Sequence, residues 1–302
     1  MSSLDEAISR INFLCNLIPS SISNTTRVEI ELTSTCNLKC PLCIRQTDPS
    51  SIIDMKYRPL KEWIQQLDTY KNLEYVTIAG PTSEPTLYPD LIKLIQYLIK
   101  RDIEISLFIN GDTYNEKYYR RLGVIFSQAK GHIYFTVCGS TQELHSKYRV
   151  GSTLSKVLKH LDIIHTYSKK AIVTWIIFNY NEDDFNENKD MFAKYETEYF
   201  YTLPVDEHFG LGGDIHLPNN LHKIYDEVDK NDFSDIKCPA MSYKFNLISA
   251  NGDVNPCGLH RMYGDDHCFE CSVKNSELLR KNKIYKLAEA ESEYSEIALR
   301  VD

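Results

Sequence analysis

The chain has 302 residues, a net charge of −8 and 42% apolar residues, enough for one large globular domain with or without a small appendage. The acidic balance argues against nucleic acid as a partner, because phosphate binding needs a basic surface. The apolar run Ile11–Ile18 is too short to cross a membrane and lacks the flanks of a signal peptide, so no membrane association is expected and the protein reads as cytoplasmic.

Residues 4–18 have the spacing of a short lead-in helix, with Cys15 as a small buried hydrophobe among Leu14, Leu17 and Ile18. From Arg27 onward strand-like and helix-like segments alternate. Strands are expected at Val28–Leu32, Tyr75–Ala79, Ile103–Ile109, His132–Cys138, Ala171–Phe178 and Tyr199–Leu203. Helices are expected at Leu60–Tyr70, Pro89–Lys100, Glu116–Gln128, Thr153–Ser168 and Glu182–Tyr195. This alternation predicts an α/β fold with a parallel sheet and right-handed crossovers. Six units make a partial (β/α)6 TIM-like barrel, whose ligands gather at the strand C-terminal ends.

The first strand runs into Thr35-Cys36-Asn37-Leu38-Lys39-Cys40-Pro41-Leu42-Cys43. Three thiolates at this spacing can hold three irons of a cubane cluster and leave the fourth open. Structural zinc prefers four protein ligands, usually as two separated pairs. The C-x3-C-x2-C triplet resembles the signature of the radical S-adenosylmethionine (SAM) superfamily. The resemblance implies that Cys36, Cys40 and Cys43 bind a [4Fe–4S] cluster whose open iron takes the amino and carboxylate groups of SAM. It also implies cleavage of SAM to a 5′-deoxyadenosyl radical that abstracts hydrogen from substrate.

Further motifs stand at later strand ends. Gly80-Pro81-Thr82-Ser83-Glu84-Pro85 resembles the family's glycine-rich segment, with Thr82 and Ser83 where glycines are usual, and implies that Glu84 contacts the SAM amino group. Asn110-Gly111 resembles the Thr-Asn-Gly ending near SAM, although Asn-Gly is also a common turn pair. The family alignment brings Thr136 and Arg149 to SAM, with Arg149 pairing its carboxylate, a partner that suits a guanidinium. Cys138 stands where an Asp is common. Asn179 could hydrogen-bond SAM by the same resemblance. The loop Asp206–His216, with Gly210, Gly212 and Gly213, suits a substrate-facing lid or an ordinary polar loop.

Of the nine cysteines, Cys238, Cys257, Cys268 and Cys271 form a second set. Asn251-Gly252 between strand-like runs predicts a β-hairpin that brings Cys238 and Cys257 together. Four cysteines can ligate zinc or a second four-iron cluster. The spacing resembles the twitch module, a short SPASM-like domain, which implies an auxiliary [4Fe–4S] cluster. Residues 275–298 read as a C-terminal helix. The expected organisation is a lead-in over 1–26, a radical SAM partial barrel over 27–215, and a twitch module with C-terminal helix over 216–302.

The chain is similar to radical SAM epimerases and to 2-deoxy-scyllo-inosamine dehydrogenase. The 26 residues before the barrel are too few for a packed leader-binding domain, which favours a small-molecule or glycan substrate over a peptide. The end Arg300-Val301-Asp302 lacks the Gly-Gly tail of molybdopterin-precursor cyclases. The leading expectation is an epimerase of a sugar-like or other polar substrate. In it Cys138 is the hydrogen-atom donor, because alternation turns Tyr134, Thr136 and Cys138 into the barrel. The rivals are a dehydrogenase using the auxiliary cluster as electron acceptor, a peptide-modifying epimerase, and a non-catalytic iron–sulfur or zinc protein. The enzymes would need an external electron donor such as flavodoxin or ferredoxin.

Overall fold

A computed structural model describes residues 25–47, 49, 52–53, 55–80, 82–201 and 245–255. The lead-in helix with Cys15, the Asp206–His216 loop, the four cysteines of the second set and the C-terminal helix lie outside the described residues. In chain order the elements are β1 (Arg27–Glu31), α1 (Ile44–Thr47), α2 (Leu60–Leu67), β2 (Tyr75–Ala79), α3 (Leu91–Lys100), β3 (Glu104–Ile109) and α4 (Glu116–Phe126). They continue with β4 (Lys130–Val137), α5 (Gln142–Tyr148), α6 (Leu154–Ser168), β5 (Ala171–Ile177), α7 (Glu182–Asn188), β6 (Glu196–Tyr201), β7 (Phe245–Ile248) and β8 (Val254–Asn255). Short 3-10 turns cover Pro85–Leu87 and Lys189–Phe192. None of the described helices is long and apolar enough to cross a membrane.

The sheet order is β6-β5-β4-β3-β2-β1-β7-β8. Strands β1 to β6 run parallel in sequence order, as the alternation predicts for a partial barrel. Parallel neighbours need crossovers, and helices supply them on one face. Ile133, Phe135 and Val137 of β4 are fully buried in the core with Val157, Leu161 and Ile164 of α6. Alternation then turns Tyr134 and Thr136 to the concave face. There Tyr134 stacks on Phe108 with centroids 4.3 Å apart, and Thr174 donates to Thr136 at 3.2 Å.

Local chemistry explains the helix ends. Asn115 caps α4 by accepting from Tyr118 N, and Thr141 caps α5 by accepting from Leu144 N. Helix α5 was not expected, because only seven residues of it follow the strand-end motif. The helix expected over Glu182–Tyr195 stops early. Asn188 leaves helical geometry, and its side chain donates back to Asp184 O at 3.1 Å, a local bond that competes with the helix. The sixth strand lies at Glu196–Tyr201 and so begins three residues before the expected Tyr199.

The predicted hairpin forms, with β7 and β8 antiparallel around Asn251-Gly252. It joins the main sheet, because β7 runs parallel to β1 with Arg27 opposite Phe245. Gln66 of α2 donates to Gly252 O at 2.8 Å and so anchors the turn. Gly252 has φ +93°, and a Cβ there would lie 2.6 Å from Arg58 Nη1. Gly252→Ala should therefore lower stability by about 1–2 kcal/mol, the cost of a left-handed non-glycine residue. Chemical denaturation checks this, and an unchanged midpoint would contradict the turn.

His145 ties β4 to α5. Its Nδ1 accepts from Cys138 N at 3.3 Å, so the proton sits on Nε2, which lies 3.0 Å from Ser152 Oγ. Burial, reinforced by the Arg149 charge, pulls its pKa from 6.5 down to about 4. Between these values the unfolded chain takes a proton that the folded chain refuses. Stability should therefore fall as pH drops from about 6.5 toward about 4. A His145→Gln variant should show a flatter profile in this window, and identical profiles would contradict the assignment.

Candidate functional site

The thiol loop leaves the C-terminal end of β1. Cys40 is buried and Cys36 and Cys43 are half-buried, and none of the three is in a disulfide. Cys43 N donates to Cys40 O at 3.0 Å, and Cys43 O accepts from Gln46 N at 2.7 Å, so the loop coils directly into α1. Leu38 N lies 3.5 Å from Cys36 Sγ and donates toward it. Burial pushes the Cys36 thiol up to about 11 and raises that of Cys43 as well. Among the described residues no three of His, Cys, Asp or Glu converge on a single metal ion. Three thiols spread along one loop fit separate irons of a cluster better than one zinc.

The segments around the loop hold it by hydrogen bonds. Glu84 N donates to Thr35 O at 2.9 Å, Ser34 N to Met55 O at 3.1 Å and Lys39 N to Val150 O at 3.0 Å. Arg45 Nη1 reaches both Ser34 O, at 2.5 Å, and Thr82 O, at 2.9 Å. Asn37 Oδ1 accepts from Asn110 Nδ2 at 2.7 Å, and Asn37 Nδ2 donates to Asp112 O at 3.2 Å.

Glu84 is expected to meet a ligand, yet its carboxylate is 2% exposed and bonded within the protein. Oε1 accepts from Thr86 N at 3.1 Å and Thr86 Oγ1 at 2.5 Å, while Oε2 accepts from Asn110 N at 2.8 Å. Burial raises its pKa against these bonds. A carboxylate offers about four lone-pair sites, so one acceptor direction remains for a ligand amine. Asn110 is likewise shared, since its Oδ1 accepts from Asp112 N at 2.9 Å. Asp112 in turn accepts from Thr153 N at 2.8 Å and pairs with Lys156 at 2.8 Å.

Arg149 follows α5 and reaches the loop, with Nη1 3.7 Å from Cys40 Sγ. Its Nε is enclosed without a hydrogen-bond partner. An enclosed donor of this kind fits a ligand acceptor such as a carboxylate. Cys138 lies at the end of β4 and is 0% exposed, packed with Phe178 and against Leu42, Tyr148, Ile176 and Tyr180. That enclosure pushes its thiol up to about 12. Asn179 sits in the turn after β5. The residue that ties this turn to β4 is Asn181, which donates to Cys138 O at 3.0 Å and accepts from Phe178 N at 2.7 Å.

The structure thus brings Cys36, Cys40, Cys43, Glu84, Asn110 and Arg149 to one rim, with Thr136 on the concave wall and Cys138 beneath. Sequence reasoning missed Asn37, Arg45, Asp112, His145 and Asn181. Asn37 and Arg45 lie in or beside the cysteine triplet and Asp112 follows Asn110-Gly111, so nearness to a motif was the available signal. Asn181 and His145 carried none.

A family model described as the Radical SAM superfamily matches residues 30–192, more than half of the chain. The mycofactocin maturase MftC of Mycobacterium ulcerans is 24% identical over 132 residues, 44% of this chain and 34% of that protein. A tungsten-containing aldehyde ferredoxin oxidoreductase cofactor-modifying protein of Pyrococcus furiosus is 25% identical over 93 residues, 31% of this chain and 26% of that protein. This chain therefore matches about a quarter to a third of the length of these curated relatives. Among solved structures, Streptococcus suis SuiB bound to precursor peptide SuiA superposes with a TM-score of 0.60 at 18% identity, covering 86% of this chain and 65% of SuiB. AdoMet-bound anSMEcpe gives 0.56 at 16% identity, covering 77% and 74%. These likenesses show a shared fold, and the family match, which spans the thiol loop and the motifs that follow β2 to β5, shows that the chain belongs to the radical SAM superfamily.

Proposed function

We propose that this radical SAM enzyme removes a hydrogen atom from an sp3 carbon of a polar substrate, with Cys36, Cys40 and Cys43 holding the cluster. The family implies a SAM-binding [4Fe–4S] cluster, which when bound supplies the electron for reductive SAM cleavage. What carries the proposal is the thiol loop at the C-terminal rim, closed by Arg149 at 3.7 Å from Cys40 Sγ. In this account Arg149 binds the SAM carboxylate, Glu84 and Asn110 shape the amine side, and Thr136 and Asn179 line the approach. An external flavodoxin- or ferredoxin-type donor delivers the electron. The Cys238, Cys257, Cys268 and Cys271 set holds an auxiliary [4Fe–4S] cluster in a twitch module.

The substrate readings are a peptide, a glycan and a small polar molecule. The peptide reading draws support from SuiB, whose fold this chain shares and which is bound to a precursor peptide. The concave wall, with the Phe108–Tyr134 stack beside Thr136 and Thr174, offers both stacking and hydrogen-bonding surface.

In the epimerase form Cys138 gives its thiol hydrogen to the substrate carbon radical, which leaves a thiyl radical to be reduced by one electron and one proton. Its complete burial means that Phe178 and Tyr148 must part when substrate binds. In the dehydrogenase form Cys138 stays packed. A cluster held by Cys238, Cys257, Cys268 and Cys271 would then supply the acceptor for the second electron, as a hydroxyl carbon becomes a ketone and releases its proton.

Anaerobic reconstitution should yield about eight irons per chain, four per cluster. The Cys36→Ala/Cys40→Ala/Cys43→Ala variant should keep about half and lose dithionite-driven 5′-deoxyadenosine formation. Cleavage retained by that variant would overturn the assignment. With the cognate substrate in deuterated water, the epimerase form predicts one solvent deuterium in the product. Cys138→Ala should then form 5′-deoxyadenosine without inverted product, whereas full conversion would leave Cys138 as packing and favour the dehydrogenase.

A further inference from the structure

The contact between Arg149 and Cys40 has a consequence of its own, apart from substrate chemistry. Arg149 Nη1 donates toward Cys40 Sγ at 3.7 Å, while Nε of the same guanidinium is enclosed without a partner. The surrounding backbone is tied on both sides. Arg149 N donates to His145 O at 2.9 Å, Ser152 N to Arg149 O at 2.9 Å, and Lys39 N to Val150 O at 3.0 Å. The last bond joins the thiol loop to the residue next to Arg149. The cation and the sulfur therefore belong to one hydrogen-bonded unit.

We propose that Arg149 is an electrostatic link, donating to the Cys40 thiolate through one edge and to the SAM carboxylate through another. This rests on the radical SAM reading above. Reduction adds negative charge that the cysteine sulfurs share, so a cation bonded to one sulfur stabilises the reduced state and raises the potential. A carboxylate arriving at the same guanidinium neutralises part of that charge. SAM binding and cluster potential are then coupled through Arg149, and the coupling acts in both directions.

The test is an anaerobic potentiometric titration followed by electron paramagnetic resonance, on wild type and Arg149→Met with iron content matched. The triple-cysteine variant supplies the background from any other cluster. Without SAM, Arg149→Met should have a more negative midpoint than wild type. With saturating SAM the gap between the two should narrow, and the variant should bind SAM more weakly in equilibrium dialysis. Equal midpoints without SAM would overturn the thiolate bond, and a gap that SAM leaves unchanged would overturn the coupling. Should Arg149→Met fail to take up iron, Arg149→Gln removes the charge and keeps an N–H donor of similar reach. A Gln variant with wild-type midpoint and wild-type SAM affinity would overturn the proposal. Failure of the radical SAM reading would appear separately, as wild-type protein that loads iron but neither binds nor cleaves SAM.

Discussion

Glu84 is 2% exposed and accepts three hydrogen bonds, two from Thr86 and one from Asn110 N. A buried carboxylate is tolerated only when its hydrogen-bond donors are held in place, and leaving one acceptor unsatisfied typically costs about 1–3 kcal/mol. Its backbone N–H also holds Thr35 O, the last carbonyl before Cys36. One residue thus couples the end of β2 to the end of β3 and to the start of the thiol loop. Asn37, Asn110 and Asp112 extend the same network to the first turn of α6. These bonds fix the backbone of the loop, and a preorganised loop loses less entropy on binding.

The sheet supplies the platform for that network. Strand β1 carries the thiol loop, and a strand left at an edge frays more easily than one paired on both sides. Here β2 covers one side of β1 and β7 the other. The hairpin is seated on α2 through Gln66 and Gly252, so residues far apart in sequence stiffen the root of the loop.

Much of the fold was legible in the sequence. Buried parallel strands need apolar runs of a definite length, and β2 falls where its run predicts, at Tyr75–Ala79. Helix α3 was equally plain, because Leu91, Leu94, Ile95 and Leu98 repeat at helical spacing on one buried face. The pairing of β7 with β1 was not legible, since local patterns carry no signal for partners more than two hundred residues apart. Glu84 was picked out, yet the bonds that bury it depend on Thr86 and Asn110 N, which only folding brings together. His145 stood in no expected element, and its neutral, enclosed state follows from the burial of α5 against β4. The thiol triplet needed no folding to be recognised, because its chemistry resides in the spacing itself. The second cysteine set lies outside the described residues, so the expected twitch module remains a proposal.

The central claim is that the Cys36–Cys43 loop presents a cluster with one iron open to S-adenosylmethionine. Electron–nuclear double resonance on the reduced protein with SAM labelled by 17O in the carboxylate and 15N in the amine tests it directly. The account predicts hyperfine coupling from both labels to the cluster spin, abolished in the triple-cysteine variant. Absence of coupling from either label in iron-replete wild-type protein would contradict it.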